Sequence, residues 1–207
     1  HVNRKMNVWG SGGSHKTYFK KVDSIIIDIF NQNINEQPKG IIDTGCGDGT
    51  FLKHLYDIIM TRTIRKNHIK THPLILIGLD INKKARVTSR KTLSNINSIV
   101  INGDISNPKK INKLLMENYN YKLKDFINCR TFLDHNRIFQ EPQIDINHGI
   151  NSSGSFCYKG DLIPSHKLIN NFIDHIKSWK PYIKKFGLII IELHTLDPEI
   201  SKNNRGN

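Results

Sequence analysis

The sequence predicts an α/β fold, a doubly wound and mostly parallel sheet with helices on both faces. Three observations carry this. Short apolar runs alternate with longer stretches of helical periodicity, the pattern of linked βαβ units. The stretch Ile41–Phe51, IIDTGCGDGTF, joins an apolar run to a helical pattern through glycines at 45, 47 and 49. Acids stand at or just after successive apolar runs, at Asp43, Asp80 and Asp104.

Taken in order, residues 1–17 are polar and glycine-rich and read as an arm. Tyr18, Phe19, Val22, Ile25, Ile26, Ile29 and Phe30 form a helical stripe. The first strand is expected over 40–44, followed by a helix from Thr50 to about Lys66 whose inner face is Phe51, Leu52, Leu55, Ile58 and Ile59. LILIGL, residues 74–79, is a continuous apolar run bounded by charge, so it reads as a strand buried on both faces. A basic helix over 83–93 leads to a third strand over 98–102. Pro108–Tyr119 is a helix with Ile111, Leu114 and Leu115 inward, and 126–130 is the fourth strand. Residues 131–164 are a long irregular stretch, and stretches of that length are usually functional or disordered. A helix over 166–182 is ended or bent by Pro181. LIIIEL, residues 188–193, is the fifth strand. The expected organisation is an arm and helix over 1–39 leading into a core over 40–207. The core lacks further strands that would cover the fifth. With no initiator Met, the chain is expected to be a piece of something longer.

The chemistry starts at the glycine turn. Glycine allows positive φ and close approach of backbone to a ligand, and the next helix offers free N–H groups at its N-terminus. A pyrophosphate site wants G-x-G-x-x-G; here the spacing is G-x-G-x-G, with Asp43 two residues ahead. An acid aimed at the turn suits a cationic ligand. Asp80, at the end of the second run, can accept both ribose hydroxyls of an adenosine, in a dinucleotide as well. Asp104 suits the N-cap of the helix at Pro108 or a turn position.

Composition narrows the class. The chain has 207 residues and a formal net charge of +13, with pI near 9.7 and mean hydropathy −0.45. One domain is the natural expectation. No apolar run reaches the ~20 residues of a membrane helix, and the start HVNRKMNVWGSGG has no signal-peptide core. Lys and Arg are scattered, so nucleic acid is not the expected partner; a basic surface also suits an acidic carrier protein. Cys46, Cys129 and Cys157 are too widely spaced for a zinc or disulfide framework, which points to a reducing, cytoplasmic setting.

After the fourth strand comes NCRTFLDHNRIFQEP, dense in Arg130, Asp134, His135, Asn136, Arg137 and Gln140. After the fifth comes ELHTLDP, with His194. His135 and His194 follow neighbouring strands and could converge, as a general base or as ligands of Fe, Mn or Zn.

The D-x-G-x-G-x-G turn resembles the first motif of the class I S-adenosylmethionine (SAM) methyltransferases, which are Rossmann-like. DTGCGDGTF, RTFLDHNRIF and FGLIIIELHTLDPE together resemble the metal-dependent C-methyltransferase domains of polyketide synthase loading modules of the apratoxin type, and NVWGSGGSHKTYFK looks like the segment leading into that core. The resemblance implies SAM held by Asp43, Gly45, Cys46, Gly47, Asp80, Ile81, Asp104 and Ile105. It implies methylation at the α-carbon of a malonyl group on an acyl carrier protein, with His135, Arg130 and Asp134 catalytic. It also implies a mononuclear Fe or Mn held by His135, Gln140 and His194, so that no His–Glu pair need carry the deprotonation. A metal-free methyltransferase of RNA or a small molecule, or a non-catalytic scaffold, are the competing readings; NCRTF stands where many DNA and RNA amino methyltransferases have N/D-P-P-Y/F.

Overall fold

In the computed structural model the described residues are 18–147, 149 and 156–192. The expected arm over 1–17 and His194 lie outside them. A short 3-10 turn at Lys20–Val22 leads into helix α1 (Asp23–Phe30). Strand β1 (Gly40–Thr44), helix α2 (Thr50–Arg62), strand β2 (Ile75–Leu79), helix α3 (Lys83–Thr92), strand β3 (Ser98–Ile101), helix α4 (Pro108–Tyr119) and strand β4 (Ile127–Thr131) follow. A hairpin of β5 (Cys157–Tyr158) and β6 (Asp161–Leu162), helix α5 (Ser165–Ile183) and strand β7 (Leu188–Ile191) complete the described chain.

Five strands form one parallel sheet in the order β3-β2-β1-β4-β7. The chain winds outward from β1 to one edge, returns, and continues to the other. The ends of β1 and β4 therefore lie where the winding reverses, which is where open α/β sheets bind ligands. Alternate side chains feed two cores. Ile41 and Leu76 join Ile26, Phe30, Leu52, Leu55 and Ile59 on one face. Ile42, Ile77 and Leu79 join Ile111, Leu115, Phe126 and Trp179 on the other. Both faces are covered, which is why these strands read as unbroken apolar runs.

Local chemistry sets the boundaries. Asn82 caps α3 by accepting from Lys84 N–H at 2.9 Å. Asn107 caps α4 by accepting from Lys110 N–H at 3.0 Å, with Pro108 next and Asn120 left-handed at its end. Asn107, not Asp104, is thus the cap. Helix α2 stops at Arg62 instead of continuing to Lys66. Thr63 is extended at φ −129°, donates to Ile59 O at 2.8 Å and accepts from Arg65 N–H at 3.2 Å. This starts a 3-10 turn, Ile64–His68, and sends Arg65 inward. Ile58 is only partly buried. Residues 131–164 are not wholly irregular: Lys159 (φ 52°) and Gly160 (φ 95°) turn the β5–β6 hairpin, as a two-residue I′-type turn requires. Pro181 sits in the last turn of α5 and does not break it. No described helix is long and apolar enough to cross a membrane.

Candidate active site

The glycine turn hangs from the β2 end. Gly45 and Cys46 both donate to Leu79 O, at 2.7 and 3.1 Å. Gly45 has φ +79°, and a Cβ there would stand 2.9 Å from Leu133, so the loop after β4 rests directly on this turn. A Cβ on Gly47 (φ +55°) would meet nothing within 4 Å. That open side is where a ligand can approach the backbone. Gly47 N–H donates to Asp80 Oδ2 at 3.1 Å, and Asp80 Oδ1 accepts from Asn82 N–H at 2.7 Å. Asp80 thus ties the turn to the start of α3. Its carboxylate has further lone pairs for ribose hydroxyls. Ile81 beside it is exposed, an apolar ledge at the same edge.

Asp104 is exposed and accepts from the backbone N–H and hydroxyl of Ser106, at 2.9 and 2.7 Å. Ile105 turns inward and its carbonyl accepts from Trp179 Nε1–H at 2.8 Å, fixing this loop to α5. Cys46 also turns inward: its thiol lies 3.8 Å from Ser89 Oγ. Burial first, then the charge of Asp43, pushes it up to about 12. Cys46 therefore offers a ligand its backbone, not a thiolate.

Asp43 is fully buried, and neither carboxylate oxygen has a hydrogen-bond partner among the described residues. Burial, followed by the charge of Asp80, holds its carboxyl well above the ordinary range. A buried acid without donors beneath a ligand turn fits a cation, and SAM carries an ammonium and a sulfonium. The residues present therefore fit SAM: Asp43, Gly45, Gly47, Asp80 and Asp104 would hold it. The ordinary value for this group is 3.8, and burial followed by the charge of Asp80 raises it well above that in the native unliganded chain. Native stability is therefore lost as pH rises from that value toward the raised native one. Asp43→Asn is expected to raise the unfolding temperature of the unliganded protein above that range. It should weaken SAM binding about tenfold or more and remove the rise of SAM affinity with pH, both read by calorimetry.

The second half of the site lies where β4 and β7 end. Thr131 is in register with Ile191, and Phe132 N–H donates to Ile191 O at 2.8 Å. Phe132 has φ +53°, a costly conformation for a bulky residue. It turns the chain into a single 3-10 turn, Asp134–Asn136. Glu192, one residue beyond β7, meets that turn. Its Oε1 accepts from Asp134 N–H at 2.6 Å, and its Oε2 lies 2.7 Å from His135 Nδ1. Asn136 Nδ2 lies 2.9 Å from His135 Nε2. With Nδ1–H given to Glu192, Nε2 carries the lone pair. The His135 side chain is 49% exposed, so that lone pair is reachable. Glu192 is the residue that sequence reasoning passed over. Its signal was an acid at a strand end beside the strand that carries His135.

Arg130 and Asp134, expected to be catalytic, are both buried. Arg130 is fully buried, its guanidinium 4.2 Å from the Trp179 ring centroid. Its Nη1 donates to Asp134 Oδ1 at 3.1 Å and lies 2.9 Å from His175 Nε2. Burial pushes Arg130 down to about 10, against the pull of Asp134, so it stays charged near neutrality. Burial alone would raise Asp134; the His175 hydrogen bond and the Arg130 charge hold it below the ordinary range. These residues brace the turn that carries His135.

Of the expected metal ligands, His135 and Gln140 lie among the described residues and His194 lies outside them. Gln140 lines a cleft beside α5, and its backbone carbonyl accepts from Asn171 Nδ2 at 2.6 Å. His135 is held against Glu192 and does not line that cleft. Among the described residues no group of three His, Cys, Asp or Glu side chains could hold a metal.

The parallel order, the D-x-G-x-G-x-G turn and the strand-end acids fit the fold of the class I SAM-dependent methyltransferases. The family model of the AprA MT2-like domain matches residues 1–207, and the chain belongs to that family. Among solved structures, the chain is similar to the plantazolicin methyltransferase BpumL in complex with a pentazolic desmethylPZN analog and SAH. Identity there is 16%, TM-score 0.47, with 93% of this chain and 55% of that one covered. It is also similar to the plantazolicin methyltransferase BamL in complex with a triazolic desmethylPZN analog and SAH. There identity is 19% and TM-score 0.39, with 63% and 41% covered. The chain thus spans about half the length of these structures. No curated protein matches it significantly.

Proposed function

We propose that this chain is a SAM-dependent C-methyltransferase acting on the α-carbon of a malonyl or related acyl group carried by an acyl carrier protein in polyketide assembly. The observation that carries this reading is the His135–Glu192 pair, poised beside the glycine turn through Leu133. Methylation at carbon needs a proton removed first, here from the α-carbon beside the thioester carbonyl, and a positioned imidazole is the general base that would take it. SAM, when bound, supplies an electrophilic methyl group.

Each residue has a task. His135 Nε2 takes the α-proton once the substrate displaces the Asn136 amide. Glu192 holds the Nδ1–H, fixes the tautomer and stabilises the imidazolium that forms. The carbon–hydrogen electron pair left on the substrate forms the new carbon–carbon bond, and the sulfur leaves with the pair of the broken carbon–sulfur bond. Asp80 and the open face of Gly47 orient the donor so that the two carbons meet in line.

A metal is a separate arm of the experiment. Malonyl-loaded carrier protein, incubated with SAM and the chain, is read by intact mass with and without added Mn or Fe and after chelation. A gain of one methyl mass without metal supports the dyad. A gain only with metal favours the Lewis-acid route. No gain on the carrier, with turnover on RNA or a small acid, would sink the substrate assignment.

A further inference from the structure

The two halves of the candidate site stand on different elements: the glycine turn runs into α2, and the His135 turn follows β4. Two consecutive aromatic residues reach both. Phe19 packs on Phe51, the second residue of α2, with ring centroids 4.7 Å apart and planes at 43°. Tyr18 meets Phe132 edge to face, at 5.7 Å and 84°, an arrangement that aromatic pairs favour. The backbone here is helical, with Phe19 at φ −58° and ψ −41°, so the two side chains leave the axis about 100° apart. The segment is also anchored. Phe19 and Val22 are buried in the core beside Ile26. Asp23 Oδ1, at the start of α1, lies 2.7 Å from His54 Nε2 on α2. Tyr18 therefore projects from an element docked on α2.

Phe132 is where a fixed neighbour matters. Its φ of +53° is left-handed, a conformation that glycine takes freely and a bulky residue keeps only when its surroundings impose it. One restraint is its N–H, donated to Ile191 O at 2.8 Å. Another is its ring, held against Tyr18. The residues that follow take their direction from this backbone. Leu133 rests on Gly45, and the Asp134–Asn136 turn holds His135 Nδ1 2.7 Å from Glu192 Oε2. A change of φ at Phe132 would swing both. Tyr18 and Phe132 are each only half-buried. Their contact therefore adds little to the core, and its effect falls on the path of the chain.

We propose that Tyr18 is a positioning residue: its ring holds Phe132 left-handed and thereby keeps the His135 imidazole against Glu192. The assignment rests on the reading of His135 as the base. With Phe19 on Phe51, the same dipeptide fixes the span between the turn that would hold the donor and the turn that carries the base. A general base works only within hydrogen-bond reach of the proton it takes. A swing at Phe132 therefore acts on turnover and leaves the donor contacts of Gly47 and Asp80 alone.

The experiment uses the whole chain with isotope-labelled histidine, in alkaline buffer where imidazoles are neutral. Long-range proton–nitrogen correlation spectra read which ring nitrogen of His135 carries the proton, and His135→Ala assigns its signals among the ten histidines. Unfolding temperature, SAM affinity, kcat and KM are measured alongside. The parent is expected to carry the proton on Nδ1. Tyr18→Ala is expected to keep the unfolding temperature and SAM affinity and to show both tautomers. Its kcat should fall about tenfold or more with KM little changed. Tyr18→Phe keeps the ring and should match the parent throughout. Tyr18→Leu fills the space without a ring edge and carries the test if Tyr18→Ala does not fold. In a His135→Ala background Tyr18→Ala should cost no further kcat, because it acts through that imidazole. The proposal is overturned if a folded Tyr18→Ala or Tyr18→Leu chain keeps the parent tautomer or, in an active chain, the parent kcat. It is equally overturned if Tyr18→Phe loses as much as Tyr18→Ala, or if the loss is the same with and without His135. A tautomer that depends on Tyr18, in a chain that methylates no carrier substrate, would leave the positioning standing and remove the function above.

Discussion

Replacing His135 with alanine is expected to lower methyl transfer by about 10²–10⁴-fold, the usual contribution of a positioned general base. SAM affinity should stay within experimental error of the parent, because the turn at 45–49 and Asp80 make no hydrogen bond to the imidazole. Glu192→Gln is the informative partner. It keeps the shape and offers an amide where a carboxylate took the Nδ1–H at 2.7 Å. The imidazolium then has no countercharge and the tautomer is no longer fixed, so turnover should fall nearly as far as in His135→Ala. The double variant should be little worse than either single one, since the two residues act as a unit. Additive losses, measured by intact mass over time, would show that they act separately.

Arg65→Ala is expected to give the largest loss of stability. Its guanidinium is buried and donates to Gln37 Oε1 and to the carbonyls of Pro38, Lys39, His72 and Pro73, at 2.9–3.4 Å. It also lies 5.6 Å from the Phe30 ring centroid. These acceptors belong to the segments entering β1 and β2, so one side chain clamps the starts of the two central strands. Truncation leaves several buried acceptors unmet, at about 3–5 kcal/mol in all. For a chain of this size that is roughly a 10 °C fall in unfolding temperature. Arg65→Met refills the space over Phe30 without restoring a donor. If Met recovers most of the loss in a thermal scan, packing matters more than the hydrogen bonds.

Much of the glycine-turn half of the candidate site was legible in the sequence, because its signals are local. Ile41–Ile42 and Leu74–Leu79 are buried on both faces and so read as unbroken apolar runs. The glycines at 45, 47 and 49 and the acids at 43, 80 and 104 sit within a few residues of those runs. The other half was not legible, because it is made by pairings distant in the chain. Glu192 meets His135 through the β4–β7 register. Arg130 reads as a loop cation until Trp179 and His175 of α5 close over it. Arg65 looks like one more charge in a basic stretch. Only the Thr63 side chain, which breaks α2 early, turns it toward the core.

The strand order also sets a timetable for folding. β1 is the first strand in the chain but lies at the middle of the sheet, and its partner β4 joins it as Ile41 against Ile127. Pairings over such separations are slow to form, because much intervening chain must be ordered before they are rewarded. β2 and β3 follow β1 closely, whereas β7 leaves the ribosome last of all five strands. The His135–Glu192 pair hangs from the ends of β4 and β7, so it is assembled after the glycine turn has the strands that support it. A growing chain therefore has the strands that carry its glycine turn before the strand end that brings Glu192 to His135.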